Sequence, residues 1–200
     1  MAKKNNDLNL KDMLSLKPIG DNQKVVFDTW DKDKNQFVFG AAGTGKTFIL
    51  LYKALQDVLN PNTEYDRVII VRSLIPTREI GFLPGDEEDK SALYQINYMN
   101  MVRFMFQQPN EQAFNMLYDR LQNQGSMYFM STSFLRGLTF DNSIIIVDEC
   151  QNLNFHELDT IITRVGQDSK IVFCGDFSQT DLTKTNERNG LHDFLRILEN

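Results

Sequence analysis

The sequence has few cysteines, no long apolar run and no excess of positive charge. Its two cysteines, Cys150 and Cys174, each lie beside an apolar strand pattern, which favours buried thiols over a disulfide or a metal site. The apolar run at the centre of the chain, residues 144–147, falls far short of the about 20 residues that span a bilayer. The first residues also lack the apolar segment of a secretory signal. We therefore expect no membrane partner and a reducing compartment, the cytoplasm.

The acidic balance of the chain limits its partners. With 21 basic and 27 acidic side chains, the formal net charge is −6. Proteins that coat nucleic acid broadly carry a basic face, so any RNA or DNA site here should be a local groove or a channel built by several subunits. The 200 residues, 42% of them hydrophobic, fit one domain with a substantial core.

One stretch matches the Gly-x-x-x-x-Gly-Lys-Thr phosphate loop at every fixed position. It follows an apolar segment at residues 37–39 and precedes a helical pattern that runs to Leu59, and this context favours a phosphate loop over a plain glycine-rich turn. Backbone N–H groups of such a loop face phosphate oxygens, and the helix adds the positive end of its dipole. Lys46 would reach the β and γ phosphates, and Thr47 would hold Mg²⁺. The expected nucleotide-binding residues are Gly40, Ala41, Ala42, Gly43, Thr44, Gly45, Lys46 and Thr47.

Polar residues follow two further apolar strand patterns. The carboxyl ends of parallel strands meet at one edge of an open α/β sheet, so Asp148 and Glu149, after the strand at residues 143–147, should face the phosphate loop. Asp148 is expected to hold Mg²⁺ through water, together with Thr47. Glu149 is the expected general base for water attacking the γ phosphate. The strand at residues 170–174 brings Gln179 to the same edge, where its amide could contact the γ phosphate or the attacking water.

A glutamine upstream of the phosphate loop is a candidate base reader. Asp21 is predicted to cap a helix over residues 22–32, which places Gln23 on its first turn. The amide offers the acceptor and donors that match the N6 and N7 edge of adenine. A glutamine at a helix start is more often an ordinary surface residue, and the spacing alone leaves both interpretations open.

Other patterns are predicted to frame the site. Residues 67–72 and 127–130 have the apolar character of buried strands. A helix should follow Asn154, which forms a capping box with Glu157, and it should end at Gly166. Residues 1–16 form an N-terminal arm that either packs on the body or is a partly disordered tail, and residues 17–200 form the domain.

A helical insertion is predicted at residues 91–123, interrupted near Pro109. Its methionine and aromatic side chains are expected in the core or in a subunit interface rather than stacked on bases. The acidic residues 86–89 should begin its first helix rather than bind metal. The loop before it, residues 73–90, is long enough to suggest a functional role.

Several motifs together resemble the PhoH family of phosphate-starvation-inducible ATPases, in a phage-type form, and more distantly the first RecA-like domain of superfamily 1 helicases. The resemblance spans about residues 20 to 195. One departure is Val71-Arg72-Ser73, where the family often has Thr-Arg-Pro after its second strand. The matching stretches are residues 41–47, Gly81-Phe82-Leu83-Pro84-Gly85-Asp86, Arg136-Gly137-Leu138-Thr139, Asp148-Glu149-Cys150-Gln151-Asn152, Thr163-Arg164-Val165-Gly166, residues 175–182 and Asn189-Gly190-Leu191.

The resemblance implies an α/β fold with a single RecA-like P-loop NTPase domain: a mostly parallel sheet, helices on both faces and the helical insertion. It further implies ATP with Mg²⁺, a homo-oligomeric and hexameric ring, and activity linked to single-stranded RNA or DNA. It favours Gln23 as the adenine reader. A phage-encoded member would act in the host cytoplasm.

In such a ring, an arginine from a neighbouring subunit could complete the ATP site in trans. The candidates, in falling order of preference, are Arg164, Arg136, Arg78 and Arg72. Two other functions stay open: a phosphate-loop kinase acting on a small molecule, and a ring scaffold that ATP only stabilises. Glu149 disfavours the kinase, since such kinases need no base beside the magnesium aspartate. No Asn-Lys-x-Asp guanine reader supports a GTPase.

Overall fold

The structure, a computed structural model, describes residues 8, 10–32, 34–73, 87–178 and 190–198, with the backbone alone for 87–93 and 198. Within these ranges the elements alternate between strands and helices. The strands are β1 (Gln36–Phe39), β2 (Arg67–Arg72), β3 (Met127–Ser131), β4 (Ser143–Val147) and β5 (Lys170–Gly175). The helices are α1 (Asp21–Trp30), α2 (Lys46–Leu59), α3 (Glu87–Phe106), α4 (Glu111–Asn123), α5 (Phe155–Ile162) and α6 (Gly190–Leu198).

The five strands form one parallel sheet in the order β1-β5-β4-β2-β3. Because all strands run the same way, their carboxyl ends gather at one edge of the sheet. β5 lies between β1 and β4, with Phe39 opposite Gly175 and Val147 opposite Phe173. The residues that follow β1, β4 and β5 are therefore neighbours in space, although more than a hundred positions separate them in the chain.

Each face of the sheet is covered by helices. Alternate strand residues such as Val68, Ile146 and Cys174 belong to a core formed with α1, α2, α3 and α4. Their neighbours, such as Ile69 and Phe173, pack with α5 and α6 on the opposite face. Strands buried on both faces explain why these segments are unbroken apolar runs rather than alternating patterns. The predicted α/β fold with a parallel sheet, helices on both faces and a helical insertion is confirmed.

The insertion consists of α3 and α4, with a break at residues 107–110. Asn110 caps α4 by accepting a hydrogen bond from the Ala113 N–H group at 2.9 Å, and Pro109 lies just before this cap. The backbone of α3 begins at Glu87, within the acidic segment that was expected to begin a helix. Most of the loop at residues 73–90, including Arg78, lies outside the described residues.

The described part of the N-terminal segment packs on the insertion and on α2. The Leu14 N–H group donates to the Met105 carbonyl at 2.8 Å, and the Leu14 carbonyl accepts from the Tyr52 hydroxyl at 3.0 Å. The side chains of Leu8 and Met13 are buried in the core of that face.

Two local predictions are wrong. Asp21 does not cap α1: it is the first residue of the helix, and Gly20, which has no side chain to cap it, occupies the capping position. Gly166 does not end α5, which stops at Ile162. At Gly166 a Cβ atom would instead lie 2.8 Å from the Phe140 carbonyl oxygen, so glycine is needed there for close approach of two backbone segments. The capping box at Asn154 and Glu157 is present as predicted.

Candidate nucleotide and magnesium site

The phosphate loop joins β1 to α2 at the carboxyl edge of the sheet. Gly43 and Gly45 have φ angles of 75° and 81°, in the left-handed region that glycine enters without steric cost. The loop therefore turns back on itself and presents the amino-terminal end of the 14-residue helix α2 to this edge. Lys46 lies across the loop, where its Nζ atom donates to the carbonyl oxygens of Gly40 at 2.7 Å and Ala41 at 2.9 Å.

Thr47 and Asp148 meet on the far side of the loop. The Thr47 hydroxyl donates to Asp148 Oδ1 at 2.8 Å across 101 positions of sequence. Asp148 is buried and follows β4 directly, and its N–H group continues the ladder with β2 by donating to the Val71 carbonyl at 2.9 Å. Both side chains carry oxygen atoms that can act as metal ligands, and Mg²⁺ takes one or two protein oxygens beside phosphate oxygens and water. The donor set fits a magnesium ion held with a nucleotide.

The carboxylate of Asp148 has further partners on both oxygens. Tyr98 of α3 donates its hydroxyl to Oδ2 at 2.6 Å, and an Arg72 nitrogen lies 4.0 Å from the same oxygen. The Cys174 thiol donates to Oδ1 at 3.1 Å. Burial, and secondly the Asp148 carboxylate, raise the pKa of Tyr98 well above its usual value, so the phenol stays a donor.

The prediction that the aromatic residues of the insertion lie in the core or in a subunit interface gave Tyr98 no role in the site. Its position among several aromatic and methionine residues of the same helix carries no signal that singles it out. Arg72 was the last candidate for a trans arginine, but its side chain is drawn into its own subunit's site, beside Asp148 and over the Tyr94 ring, 4.4 Å from the centroid.

Glu149 adopts an unusual backbone conformation next to the metal-ligand candidate. Its φ of 51° and ψ of 43° lie in the left-handed region, which a residue with a side chain enters at a cost of order 1–3 kcal/mol when the surrounding structure holds it there. The Gln151 side chain provides one such restraint, because its Nε2 atom donates to Glu149 Oε2. Gln151 Oε1 in turn accepts from the Asp176 N–H group at 3.0 Å.

Asp176, which follows β5, reaches the phosphate loop itself. Its Oδ2 atom accepts from the Ala42 N–H group at 3.1 Å, and its Oδ1 atom accepts from the N–H and hydroxyl groups of Ser178 at 2.9 and 2.6 Å. The bonds from Ser178, followed by the one from Ala42, lower the pKa of the Asp176 carboxyl, which is therefore anionic at neutral pH. One series of hydrogen bonds thus links Glu149, Gln151, Asp176 and the phosphate loop. Gln179 lies outside the described residues.

Gln23 lies beside the phosphate loop, on the first turn of α1. Its Oε1 atom accepts from the Ile19 N–H group at 2.8 Å, and its Nε2 atom lies 3.4 Å from the Thr44 carbonyl oxygen. A cavity of about 1010 Å³ opens here between α1, β1 and the loop, and Gln23 and Lys46 both line it. Volumes of about 300–1,000 Å³ are typical of small-molecule sites. These two contacts use one hydrogen and one lone pair of the amide, which has a second of each.

The remaining arginine candidates lie together on the α5 side. Arg164 donates from its two terminal nitrogens to the Leu138 carbonyl at 3.2 Å and to the Thr163 hydroxyl at 3.3 Å, and its Nε atom is buried without a hydrogen-bond partner among the described residues. Arg136 is exposed in the turn that contains Leu138. The structure thus brings Lys46, Thr47, Asp148 and Glu149 to one edge with Gln23 beside them, whereas the hydrogen bonds of Arg164 are to Leu138 and Thr163.

The fold and this edge define the class of protein: an α/β domain with a five-stranded parallel sheet and a phosphate loop between its first strand and the following helix. The model of the family described as "PhoH-like protein" matches residues 15–200. The chain therefore belongs to the PhoH family.

Curated relatives carry the same family name. The chain is 34% identical over 178 residues to a PhoH-like protein of Synechocystis, covering 88% of this chain and 51% of the relative. It is 33% identical over 165 residues to protein PhoH of Escherichia coli, covering 82% and 44%, and 33% identical over 145 residues to protein PhoH2 of Bacillus subtilis, covering 72% and 32%. The chain thus spans at most about half the length of these relatives.

Among solved structures, unliganded Pif1 from a Bacteroides species matches with a TM-score of 0.40 and 18% identity, covering 90% of this chain and 36% of that one. The similarity is too low to bear on function. Among the described residues, no helix has the length and apolar character to cross a membrane.

Proposed function

We propose that the chain hydrolyses ATP in a magnesium-dependent reaction, as a PhoH-like ATPase. The observation that carries this proposal is the 2.8 Å hydrogen bond between Thr47 of the phosphate loop and Asp148, with Glu149 next in sequence. A phosphate loop alone binds phosphate. A buried carboxylate that shares a magnesium position with the loop threonine, followed by a second carboxylate, adds what hydrolysis needs.

Each residue has a defined role in this proposal. The loop at residues 40–47 holds the phosphates through the Lys46 ammonium and through its N–H groups, apart from those of Gly40 and Ala42, which bond to Gly175 and Asp176. Thr47 and Asp148 would hold Mg²⁺, which when bound would neutralise charge on the β and γ phosphates. Glu149 takes the proton of the attacking water, and Gln151 and the strained backbone fix the direction of its carboxylate. Gln179 contacts the γ phosphate or that water, and Gln23 reads adenine at the mouth of the cavity.

The first test is phosphate release from ATP by the wild type and by Glu149→Gln, with and without single-stranded RNA. Glu64→Gln is the matched control, because Glu64 is an exposed glutamate outside the site. We expect Glu149→Gln to bind ATP as the wild type does and to lose about 10²–10⁴-fold in turnover, the range for a general base. Equal turnover by Glu149→Gln and the wild type would contradict the assignment of the base.

Two outcomes of the same assay point to the alternatives. Release of ADP that depends on an added small-molecule acceptor, without free phosphate, would identify a kinase. Tight ATP binding by a wild type that never hydrolyses it, even concentrated and with RNA, would identify a scaffold that ATP stabilises.

We propose that the active form is a homo-oligomer, a hexameric ring, in which Arg164 completes the site of a neighbouring subunit. The Arg164 guanidinium is a candidate because it is only partly buried and its terminal nitrogens bond to Leu138 and Thr163 rather than to the phosphate loop. Mixing two inactive variants tests this. Lys46→Ala lacks a working loop but supplies Arg164, and Arg164→Ala keeps the loop but lacks the arginine.

In a shared site, the mixture recovers turnover that neither variant has alone. A mixture as inactive as its components would contradict the trans arginine. The control variant is Arg120→Ala, which removes an exposed arginine of α4. In the same assay, a turnover per subunit that stays constant on dilution to a monomer would also contradict it.

We further propose that the ring binds single-stranded RNA or DNA in its channel, in the cytoplasm, where the two buried cysteines remain free. Because phosphate contacts release counterions, binding should weaken as salt rises. The absence of binding to any single strand at low salt would contradict this part of the proposal and leave the ATPase intact.

A further inference from the structure

A tyrosine of the helical insertion reaches the carboxylate that is the candidate magnesium ligand. We propose that Tyr98 is a positioning residue for Asp148, so that the insertion formed by α3 and α4 sets the affinity of the site for Mg²⁺. This inference rests on the proposed function, because it assumes that Asp148 holds the ion. No motif of the phosphate loop or of the acidic strand end includes Tyr98.

The two oxygens of Asp148 have different partners. Oδ1 faces the phosphate loop, 2.8 Å from the Thr47 hydroxyl. Oδ2 faces α3, 2.6 Å from the Tyr98 hydroxyl. Of the two carboxylate oxygens, Tyr98 bonds to Oδ2 and leaves Oδ1, the oxygen bonded to Thr47, so it orients the carboxylate without occupying the oxygen that faces the loop. Groups that orient a metal ligand in this way commonly affect metal affinity about 10–100-fold.

The insertion holds the Tyr98 hydroxyl rigidly in this place. The Tyr98 side chain is only 2% exposed, and its ring lies 5.5 Å from the Phe129 ring of β3. One and two turns further along α3, Val102 and Met105 are fully buried in the same core. Any shift of α3 along or away from the sheet therefore moves the hydroxyl relative to Asp148.

Arg72 contacts the insertion and the carboxylate at the same time. Its guanidinium lies over the ring of Tyr94, one turn before Tyr98, and one nitrogen is 4.0 Å from Asp148 Oδ2. Two residues of α3 thus contact this region: Tyr98 bonds to the Asp148 carboxylate, and Tyr94 packs against Arg72 beside it. The metal ligand is coupled to α3 at two points, which supports a positioning role for the helix rather than an accidental contact.

The test measures metal affinity rather than turnover. Binding of a fluorescent ADP analogue is titrated with Mg²⁺ and with Ca²⁺ for the wild type, for Tyr98→Phe and for the control Tyr118→Phe. Tyr118 is a partly buried tyrosine of α4 whose ring packs 5.8 Å from Phe114, so the control also removes one hydroxyl from the insertion. Tyr98→Phe keeps the ring and its packing and loses the hydroxyl, which bonds to Asp148 and also interacts with Arg72.

We expect Tyr98→Phe to bind Mg²⁺ about tenfold more weakly, with nucleotide affinity in EDTA unchanged. The loss for Ca²⁺ should be smaller, because Ca²⁺ tolerates irregular ligand geometry and Mg²⁺ requires a near-octahedral one. A general loosening of the fold would weaken both ions and the metal-free nucleotide alike, and that result would contradict the proposal. So would a Tyr98→Phe variant with the metal affinities of the wild type. If the wild type itself shows no metal-dependent nucleotide binding, the proposed function fails first.

Discussion

The Gln151 side chain donates a hydrogen bond to the carboxylate of Glu149, two residues earlier in the chain. Glu149 sits in the left-handed backbone region, so its side chain leaves the strand end in a direction that an ordinary strand residue could not take. Gln151 also accepts a bond from the Asp176 N–H group, which ties the candidate base to the end of β5.

Replacing Gln151 by methionine should slow hydrolysis without weakening ATP binding. The change removes both bonds at similar volume and frees the Glu149 carboxylate to rotate. We expect kcat to fall about tenfold, the equivalent of one hydrogen bond to a charged group, while nucleotide affinity stays within a factor of two. Steady-state kinetics and equilibrium nucleotide binding measure the two effects. The control is Gln122→Met, at an exposed position of α4. If Gln151→Met also lost nucleotide affinity in parallel with kcat, Gln151 would only support the fold.

Replacing Gln23 by alanine should reduce the preference for ATP over GTP. The amide lies beside the loop and lines the cavity, where it can donate to and accept from the edge of adenine. A base contact of this kind discriminates by about 1–3 kcal/mol, so the ratio of the two affinities should change about 5-fold or more. Competition binding with both nucleotides measures the ratio. An unchanged ratio would mean that Gln23 only closes the turn before α1 through its bond to the Ile19 N–H group.

Replacing Gly175 by alanine should destabilise the fold. A Cβ atom there would lie 2.9 Å from Cys150 Sγ and closer still to Gln151 Oε1. We expect the free energy of unfolding to fall by about 1–3 kcal/mol, as is usual when an atom is forced into a packed site. Urea denaturation measures the loss. Gly20→Ala is the matched control, because nothing lies within 4 Å of its Cβ position and its φ of −142° suits any residue.

The two thiols should resist modification in the folded protein. Burial is the main cause that raises the pKa of both Cys150 and Cys174, with the Asp148 carboxylate adding to it. A raised pKa leaves the unreactive protonated thiol dominant at pH 8.5, where an ordinary cysteine is about half ionised. We expect Ellman's reagent to label neither thiol in the native chain and both in denaturant. Rapid labelling of the native chain would show that the interior around Asp148 opens readily.

Strand and helix patterns were readable because both faces of the sheet are buried. Residues 68–71, 144–147 and 171–174 are continuous apolar runs, and each lies in a strand with nearly the predicted bounds. The phosphate loop and the acidic pair are local motifs whose meeting follows from the rule that parallel strands end at one edge. The sequence alone therefore predicts that Thr47 and Asp148 lie close together.

The contacts that sequence reasoning missed depend on packing between distant elements. Tyr98 contacts Asp148 because of where α3 packs along the sheet, with the Tyr98 ring against Phe129 of β3. The spacing of residues in the sequence does not predict the position of a helix along a sheet. Asp176 reaches Ala42 because β5 neighbours β1, a consequence of strand order. The errors at Asp21 and Gly166 have different causes. The start of α1 differs from the prediction by one residue, with Gly20 at the capping position, whereas Gly166 allows the close approach of the Phe140 backbone.

The position of β5 between β1 and β4 also has a consequence during synthesis on the ribosome. The Ile171 N–H group beside β1 binds Asn35, 136 residues earlier, and the loop N–H groups of Gly40 and Ala42 bond to Gly175 and Asp176. At a synthesis rate of about 5–20 residues per second, β5 leaves the ribosome roughly 7–27 s after β1. A nascent chain stalled before β5 should therefore fail to retain ATP, and acquisition of ATP binding would mark completion of the sheet.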